Sequence, residues 1–394
     1  MSWLNPSATV TFRFNSKKSQ FWVGRNAQNI QVSLREFMVA DDDYVYVDID
    51  YSASDDRFIA YECEDPVKIE TSEGAHGDSH CYHCSIFFSK PYEDIERGWK
   101  ANEGWVVNEP EGLRQITKKI THGRNYREEA KTMYDLMGRD AVIATAIALG
   151  HKNAAGYSDK ELIGICSSLI DKYDHPTKGL YKRIRPWQDE ICVELKKNKG
   201  LMKNAFGLTR KFLGSVEDHA TQRQLAAQYG QSNTAGNINR SLREIFYSGI
   251  DDGRRCLFLL QVHDSVVFAV HKHHLSLIGD IVRIMEKPVT IHGRSMRVPA
   301  SPKVGLTWGK NMLSWKPETT YADVVAFENE TFGEKYRLKE TNGLDDLLME
   351  TLNKMDFSGF EDGPATLPDE GEQLEVFVDE QDEAESDLRE LEDA

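Results

Sequence analysis

Long apolar runs are missing from this sequence. The longest, Ala141 to Leu149, falls far short of the roughly 20 residues a membrane helix needs, so no membrane association is expected. The N-terminus has no basic segment leading into an apolar core, so no secretory leader is expected either. Cysteine is sparse: six residues, at 63, 81, 84, 166, 192 and 256, with no pairing rhythm. That pattern suits a reduced, cytoplasmic protein better than a disulfide framework. Internal repeats are absent. Basic residues are outnumbered, 48 Lys+Arg against 64 Asp+Glu, for a net charge of -16. Taken whole, that balance argues against a polyanionic partner, but the deficit is local. From Lys316 to Ala394 there are 25 acids and 6 bases, which leaves residues 1 to 315 slightly basic and compatible with phosphate binding. The last 34 residues, 361 to 394, hold 15 acids and a single base, Arg389, the composition of a disordered tail.

What is present is pattern. Tyr44 to Asp50 alternates, with Val45, Val47 and Ile49 pointing one way and Tyr46, Asp48 and Asp50 the other, as in a half-buried strand. From about residue 90 to 200 the periodicity is mostly helical. Leu257 to Val270 reads as two apolar strands around the polar trio His263-Asp264-Ser265, a hairpin. Beyond Trp315 hydrophobic density falls. With 394 residues there is enough chain for a large core and two or three domains.

Two constellations carry chemistry. Arg114, Lys118, His122 and Tyr126 are each four residues apart, so successive members drift only about 40° and share one stripe of a helix. Leu113, Ile116 and Ile120 fall on another face and anchor it. Two cations followed by two rings suit a triphosphate, then a base and sugar. Gly123 clears a space between the rings where a base pair could approach. A solvated basic face with incidental aromatics is the bland alternative, and spacing alone favours it. The second constellation is a pair of acids, Asp50 at the end of an apolar strand and Asp264 at the tip of an apolar hairpin. Two such carboxylates can hold two divalent cations about 4 Å apart for in-line phosphoryl displacement. Oxygen ligands suit Mg²⁺, with Mn²⁺ as a substitute. Either acid alone is better read as a turn residue. His76, His80, Cys81, His83 and Cys84 crowd one stretch and could offer zinc ligands, but no second ligand pair lies at zinc spacing, so a plain helix is the better reading.

In combination these pieces resemble family-A DNA polymerases of the phage type. Asp50-Tyr51-Ser52 with Asp55, Arg57 and Ala60 resembles the family's motif A, DYSxxExRxxA. Arg114, Lys118, His122-Gly123 and Tyr126 are similar to motif B in its HGxNY form. Gln261-Val262-His263-Asp264 resembles motif C, QVHDE. Flanking stretches match too: Asn5-Pro6 through Arg13 and Asn26 to Ile30 with the opening of the palm, Asp78-Ser79-His80 with the DIH element, Gln228 to Ile238 with the QGTAxDI helix, and Val304 to Asn311 with the closing strand. The resemblance spans about residues 1 to 315.

That resemblance implies an α+β fold, a right-hand polymerase palm sheet with a helical fingers insertion. Palm would occupy 1 to 60 and 201 to 315, fingers 61 to 200, followed by an extension from 316 to 360 and the acidic tail from 361. It implies templated attack of a primer 3′-hydroxyl on a deoxynucleotide. Asp50, Asp264 and the Tyr51 carbonyl would hold two Mg²⁺ ions. Lys118 would grip the triphosphate and protonate the leaving pyrophosphate, and Arg114 would bind the outer phosphates. His122, Tyr126, Tyr51 and Asp55 would contact the incoming dNTP, with Asp55 selecting its sugar. Arg13, Gln28, Asn29, Arg210, Gln228, Gln261 and His263 would line the primer-template DNA. The implied place is the cytoplasm, that of the host if the source is viral.

The departures from the family pattern set further expectations. Asp55 stands where the family has Glu, which predicts a looser sugar gate. Ser265 replaces the Glu of motif C, Phe12 the Gly before Arg13, His122 an aromatic of motif B, and Arg127 the Gly after Tyr126; the glutamine of QGTA falls at Ser232 or one earlier at Gln231. A single-subunit RNA polymerase, in which Ser often follows the motif C Asp, is one rival; a decayed palm acting as a DNA-binding scaffold is the other. Because the match begins at Asn5, a separate partner subunit supplying a thumb and an exonuclease is also expected.

Overall fold

The computed structural model describes residues 3–5, 15–17, 30, 32–101, 112–262 and 264–332. The chain divides into two units, Met1–Gly333 and Glu334–Ala394, and the second, with the acidic tail, lies outside the described residues.

The architecture is α+β. Short strands β1 (Trp3–Asn5) and β2 (Asn15–Lys17) pair antiparallel, and one turn of helix, α1 (Val32–Arg35), follows. Strand β3 (Tyr44–Tyr51) buries Val45, Val47, Ile49 and Tyr51 and turns Tyr46, Asp48 and Asp50 outward, as the alternation requires. The helices then run without a central strand: α2 (Ser54–Glu62), α3 (Pro66–Ser72), α4 (Ser79–Phe88), α5 (Tyr92–Ala101), α6 (Leu113–Asn125), α7 (Ala130–Met137), α8 (Arg139–Ala148), α9 (Asp159–Asp174) and α10 (Ile184–Lys197). Helical structure thus begins at Ser54, well before residue 90. Side chains fix several of these starts. Asp65 accepts the Lys68 amide, Asp78 the Cys81 amide, and Ser158 with Glu161 forms a capping box at α9. A small hairpin, β4 (Leu201–Lys203) and β5 (Thr209–Lys211), leads to the 29-residue α11 (His219–Tyr247), capped by Asp218.

The chain returns to the sheet with β6 (Cys256–Val262) and β7 (Ser265–His271), the expected hairpin, bulged between Phe258 and Leu260. Helix α12 (Leu277–Met285), the small hairpin β8 (Val289–Ile291) and β9 (Arg294–Met296), strand β10 (Ala300–Gly305), the short β11 (Leu313–Ser314) and α13 (Tyr321–Phe332) complete the described chain. The five-stranded sheet is antiparallel in the order β11-β10-β3-β7-β6, with β3 at its centre.

Three apolar clusters organise the packing. One fills the helical block, from Cys81, Phe87 and Ile116 to Tyr173 and Trp187. The second lies beneath the sheet, where Val47, Ile49, Phe268 and Val304 meet Phe58 of α2, Ile238 of α11 and Ile281 of α12. The third is small: Leu260, Val262, Val267, Trp308 and Met312 cover part of the opposite face. The rest of that face is free to carry polar groups. Past Trp315 the chain still contributes core, which its thin hydrophobic content did not suggest: Val324 of α13 is fully buried, and the Glu328 carboxylate accepts the Leu306 and Thr307 amides at the end of β10.

Candidate active site

Strand pairing brings the two acids together. Asp50 lies opposite Ser265 in the β3–β7 register, and the Tyr51 amide donates to the Asp264 carbonyl (3.2 Å). The Asp50 and Asp264 carboxyl groups are in hydrogen-bond contact. Asp50 opens to solvent, yet the protein crowding it withdraws it from bulk water, and Asp264 and Asp48 add like charge. Together these push the Asp50 pKa up to about 7, against the pull of Lys303. Two oxygen acids in contact, one reluctant to ionise, and an adjacent backbone carbonyl form an all-oxygen donor set of the kind that hard divalent cations take. The residues therefore fit such a cation. No group of three or more His, Cys, Asp or Glu side chains suited to a metal occurs among the described residues. The Tyr51 side chain is buried, its hydroxyl donating to the Met285 carbonyl (2.8 Å), so only its backbone faces the site.

A tight turn aims the next acid. Ala53, in the left-handed region at φ 50°, converts β3 into α2 within three residues. Asp55 in the first turn of α2 then accepts from the Tyr126 hydroxyl (2.7 Å) and from Thr234 of α11, whose hydroxyl also lies 2.8 Å from that of Ser54. Arg57 donates to the Ser52 carbonyl (3.1 Å) and braces the turn.

Helix α6 buries Leu113, Ile116 and Ile120 as expected, and Arg114, Lys118, His122 and Tyr126 follow one stripe. The stripe is not uniformly open. Arg114 is buried, bonded to both Asp78 oxygens (2.8 and 3.2 Å) and stacked 4.0 Å from the Trp99 ring. Lys118 is half-buried and makes no ion pair among the described residues. His122 packs edge-on against Tyr126 (5.8 Å between ring centres). Burial lowers its pKa, while Asp55, Asp56 and Asp264 act to raise it, so the ring senses acids from both α2 and the β6–β7 hairpin. Gly123 has another use than clearing room for a base pair: a Cβ there would lie 1.8 Å from the Glu128 carboxylate.

The expected DNA contacts divide. Arg13, Gln28, Asn29 and His263 lie outside the described residues. Gln228 and Gln261 are buried, and Gln228 accepts from Arg210 (2.8 Å). Arg210 is half-buried, held by Gln228 and Gln224 and stacked on Phe212. The Cys/His stretch forms α4. Cys81 and Cys84 point into the apolar core, where burial pushes both thiols up to about 12, and His83 bonds the Tyr181 hydroxyl (2.6 Å). Residues that sequence reasoning missed include Lys303, across the sheet from Asp48, and Trp308, whose indole donates to Asp48 (2.9 Å). Thr234 on Asp55 was also missed. Lys303 could have been found from strand alternation, since it shares a face with Asp50; the others depend on long-range packing.

No family model matches the sequence, and no curated protein does. Among solved structures the chain is similar to the POL domain of Pol1 from M. smegmatis, determined in complex with DNA primer-template and dNTP. The TM-score is 0.58 at 19% identity, covering 78% of this chain and 47% of that one, so this chain spans about half the length of its structural neighbour. The fold is therefore that of this POL domain: an antiparallel sheet with a long, mainly helical insertion between β3 and β6.

Proposed function

We propose that the chain carries out template-directed DNA synthesis, adding deoxynucleotides to a primer 3′-hydroxyl. The observation that supports this best is the convergence of three sequence-distant motifs: Asp50 against Asp264, and Asp55 against Tyr126, with His122 among them. Two divalent cations, bound by Asp50, Asp264 and the Tyr51 carbonyl, would activate the attacking hydroxyl and neutralise charge at the phosphates. The chain's own residues do the rest. Lys118 faces the triphosphate as a cation without a protein partner among the described residues and supplies a proton to the departing pyrophosphate. Arg114 binds outer phosphates by exchanging Asp78 for them, keeping its stack on Trp99. His122 and Tyr126 pack against the incoming nucleotide, and Asp55 excludes the 2′ side of a ribose. Most of the catalysis is positioning and charge neutralisation.

Palm and fingers are assigned as the motifs imply, with fingers from about 61 to 200. Processive synthesis would draw on a thumb-like grip on the duplex supplied from outside these residues, by another subunit or another stretch of polypeptide. The RNA polymerase reading has Ser265 in its favour, and nucleotide choice decides between them. Primer extension with purified protein, Mg²⁺ and matched dNTPs or rNTPs is the test. Extension with dNTPs that disappears in Asp264→Asn is expected; full activity in that variant would refute the site.

A further inference from the structure

Beside the pairing of Asp55 with Tyr126 lies a second, deeper link between the same two helices. Asp56, the next residue of α2, accepts from the Nδ2 of Asn125, the preceding residue of α6 (2.7 Å). Asp56 also forms an ion pair with Lys68 of α3, whose side chain is 1% exposed. Lys68 donates in turn to the Tyr173 hydroxyl of α9 (3.0 Å), and Tyr173 donates to the Oδ1 of Asn125 (3.1 Å), closing a ring of four side chains. Asn125 and Tyr173 are buried, and every polar atom of the Asn125 amide group is engaged. Burial opposes both charges, yet Lys68 and Asn125 hold Asp56 well below the usual carboxylate range, and Asp56 keeps Lys68 above the usual lysine value. The ion pair is therefore intact at any physiological pH.

The placement of this ring has a use. Asp55 is one methylene shorter than a glutamate, a loss of about 1.5 Å of reach. Even so, it bonds Tyr126 at 2.7 Å. Helix α6 must then approach α2 more closely than a longer gate residue would need. Asp56 and Asn125 sit one residue from each gate partner and pull the two helices together at that point.

We propose that Asn125, Asp56 and Lys68 form a clasp that positions the sugar-selecting pair Asp55–Tyr126, so that a shortened gate residue still discriminates against ribonucleotides. These three are positioning residues: they act through Asp55 and Tyr126 and touch no substrate. The inference rests on the polymerase reading above. It also modifies the expectation of a loose gate, since the clasp offsets the missing methylene.

The test is single-nucleotide incorporation by the full chain on a primer-template with Mg²⁺, comparing kcat/KM for matched dNTP and rNTP. Asp56→Asn alone would leave Lys68 buried without a counter-charge and is a poor probe. Asn125→Ala and the double variant Asp56→Leu/Lys68→Met avoid that, and circular dichroism verifies that each is folded. In both, the dNTP preference should fall by about tenfold, the worth of one hydrogen bond to a charged group. Combining the two changes should add little, because they break the same link. Adding Asp55→Glu to Asn125→Ala should restore most of the preference, since the longer arm reaches a receded Tyr126. A purely structural role would not show that rescue. Unchanged nucleotide preference in the folded variants, or equal loss for dNTP and rNTP with no recovery by Asp55→Glu, would overturn the clasp while leaving the polymerase reading standing. A wild-type chain that incorporates no nucleotide would overturn both.

Discussion

Glu128 should make the stability of this protein fall as pH rises through neutrality. Its backbone amide donates to the Gly123 carbonyl (2.8 Å), and its side chain, in a residue only 9% exposed, folds back over Gly123. Burial pushes its pKa up to about 7 from an ordinary 4.5, although Arg223 and Arg124 pull it down. The native state therefore holds a proton that the unfolded chain releases above about pH 4.5. Below that value both states are protonated and the group is neutral in effect. Between about 4.5 and 7 the unfolded state binds fewer protons, so stability declines as pH rises. Above 7 the penalty is complete. A shift of that size corresponds to at most about 3 kcal/mol. Glu128→Gln preserves the shape without the charge. Urea unfolding at intervals from pH 5 to 9 should show the variant close to wild type at pH 5 and more stable by about 2 kcal/mol at pH 8. A difference that does not vary with pH would refute the reasoning, because it would mean the carboxylate is not withheld from water.

Three further outcomes follow from the same geometry. Gly123→Ala should destabilise the protein by about 1–3 kcal/mol, and Glu128→Ala should relieve most of that loss, because the added methyl meets the Glu128 carboxylate; thermal melts of the single and double variants check it. Mg²⁺ in the millimolar range should raise the melting temperature of the wild type by drawing Asp50 and Asp264 together, and should not do so in Asp50→Asn; equal shifts in both would detach the acids from the metal. Deleting 361 to 394 removes 15 acids and one base, so DNA affinity should rise at low salt and converge with that of the full chain at high salt; identical affinities throughout a salt titration would show that the segment does not compete with DNA.

Features with short-range causes were legible in the sequence. The alternation from Tyr44 to Asp50 marked both the strand and the face that carries Asp50, and the stripe on α6 placed its apolar anchors correctly. The hairpin at Asp264 followed from two apolar runs with a polar tip. What was hidden depends on partners far along the chain. Arg114 reads as a free cation until Asp78, 36 residues away, is seen to hold it. Gln228 and Gln261 look like polar surface residues, and only the packing of α11 and β6 shows that they are buried. The contact between Gly123 and Glu128 could not be read from the stripe, since the carboxylate lies five residues later. Asp56 and Lys68 each resemble ordinary charged helix residues, and no periodicity announces that they neutralise each other in the interior.

The order of strands in the sheet carries a consequence for how the protein assembles itself. Central strand β3 pairs with β7 and β10, so Asp50 waits for a partner more than 200 residues further along the chain. Closing a loop of that length costs about 5 kcal/mol of chain entropy before any sheet contact offsets it. The helices between them share an apolar cluster of their own, so their condensation would shorten the effective loop. Asp50 and Asp264 would then meet late in folding. On a ribosome, a nascent chain that has not yet emerged as far as Asp264 holds only one of the two acids. On the proposed reading, the site would be complete only after most of the sheet has been translated.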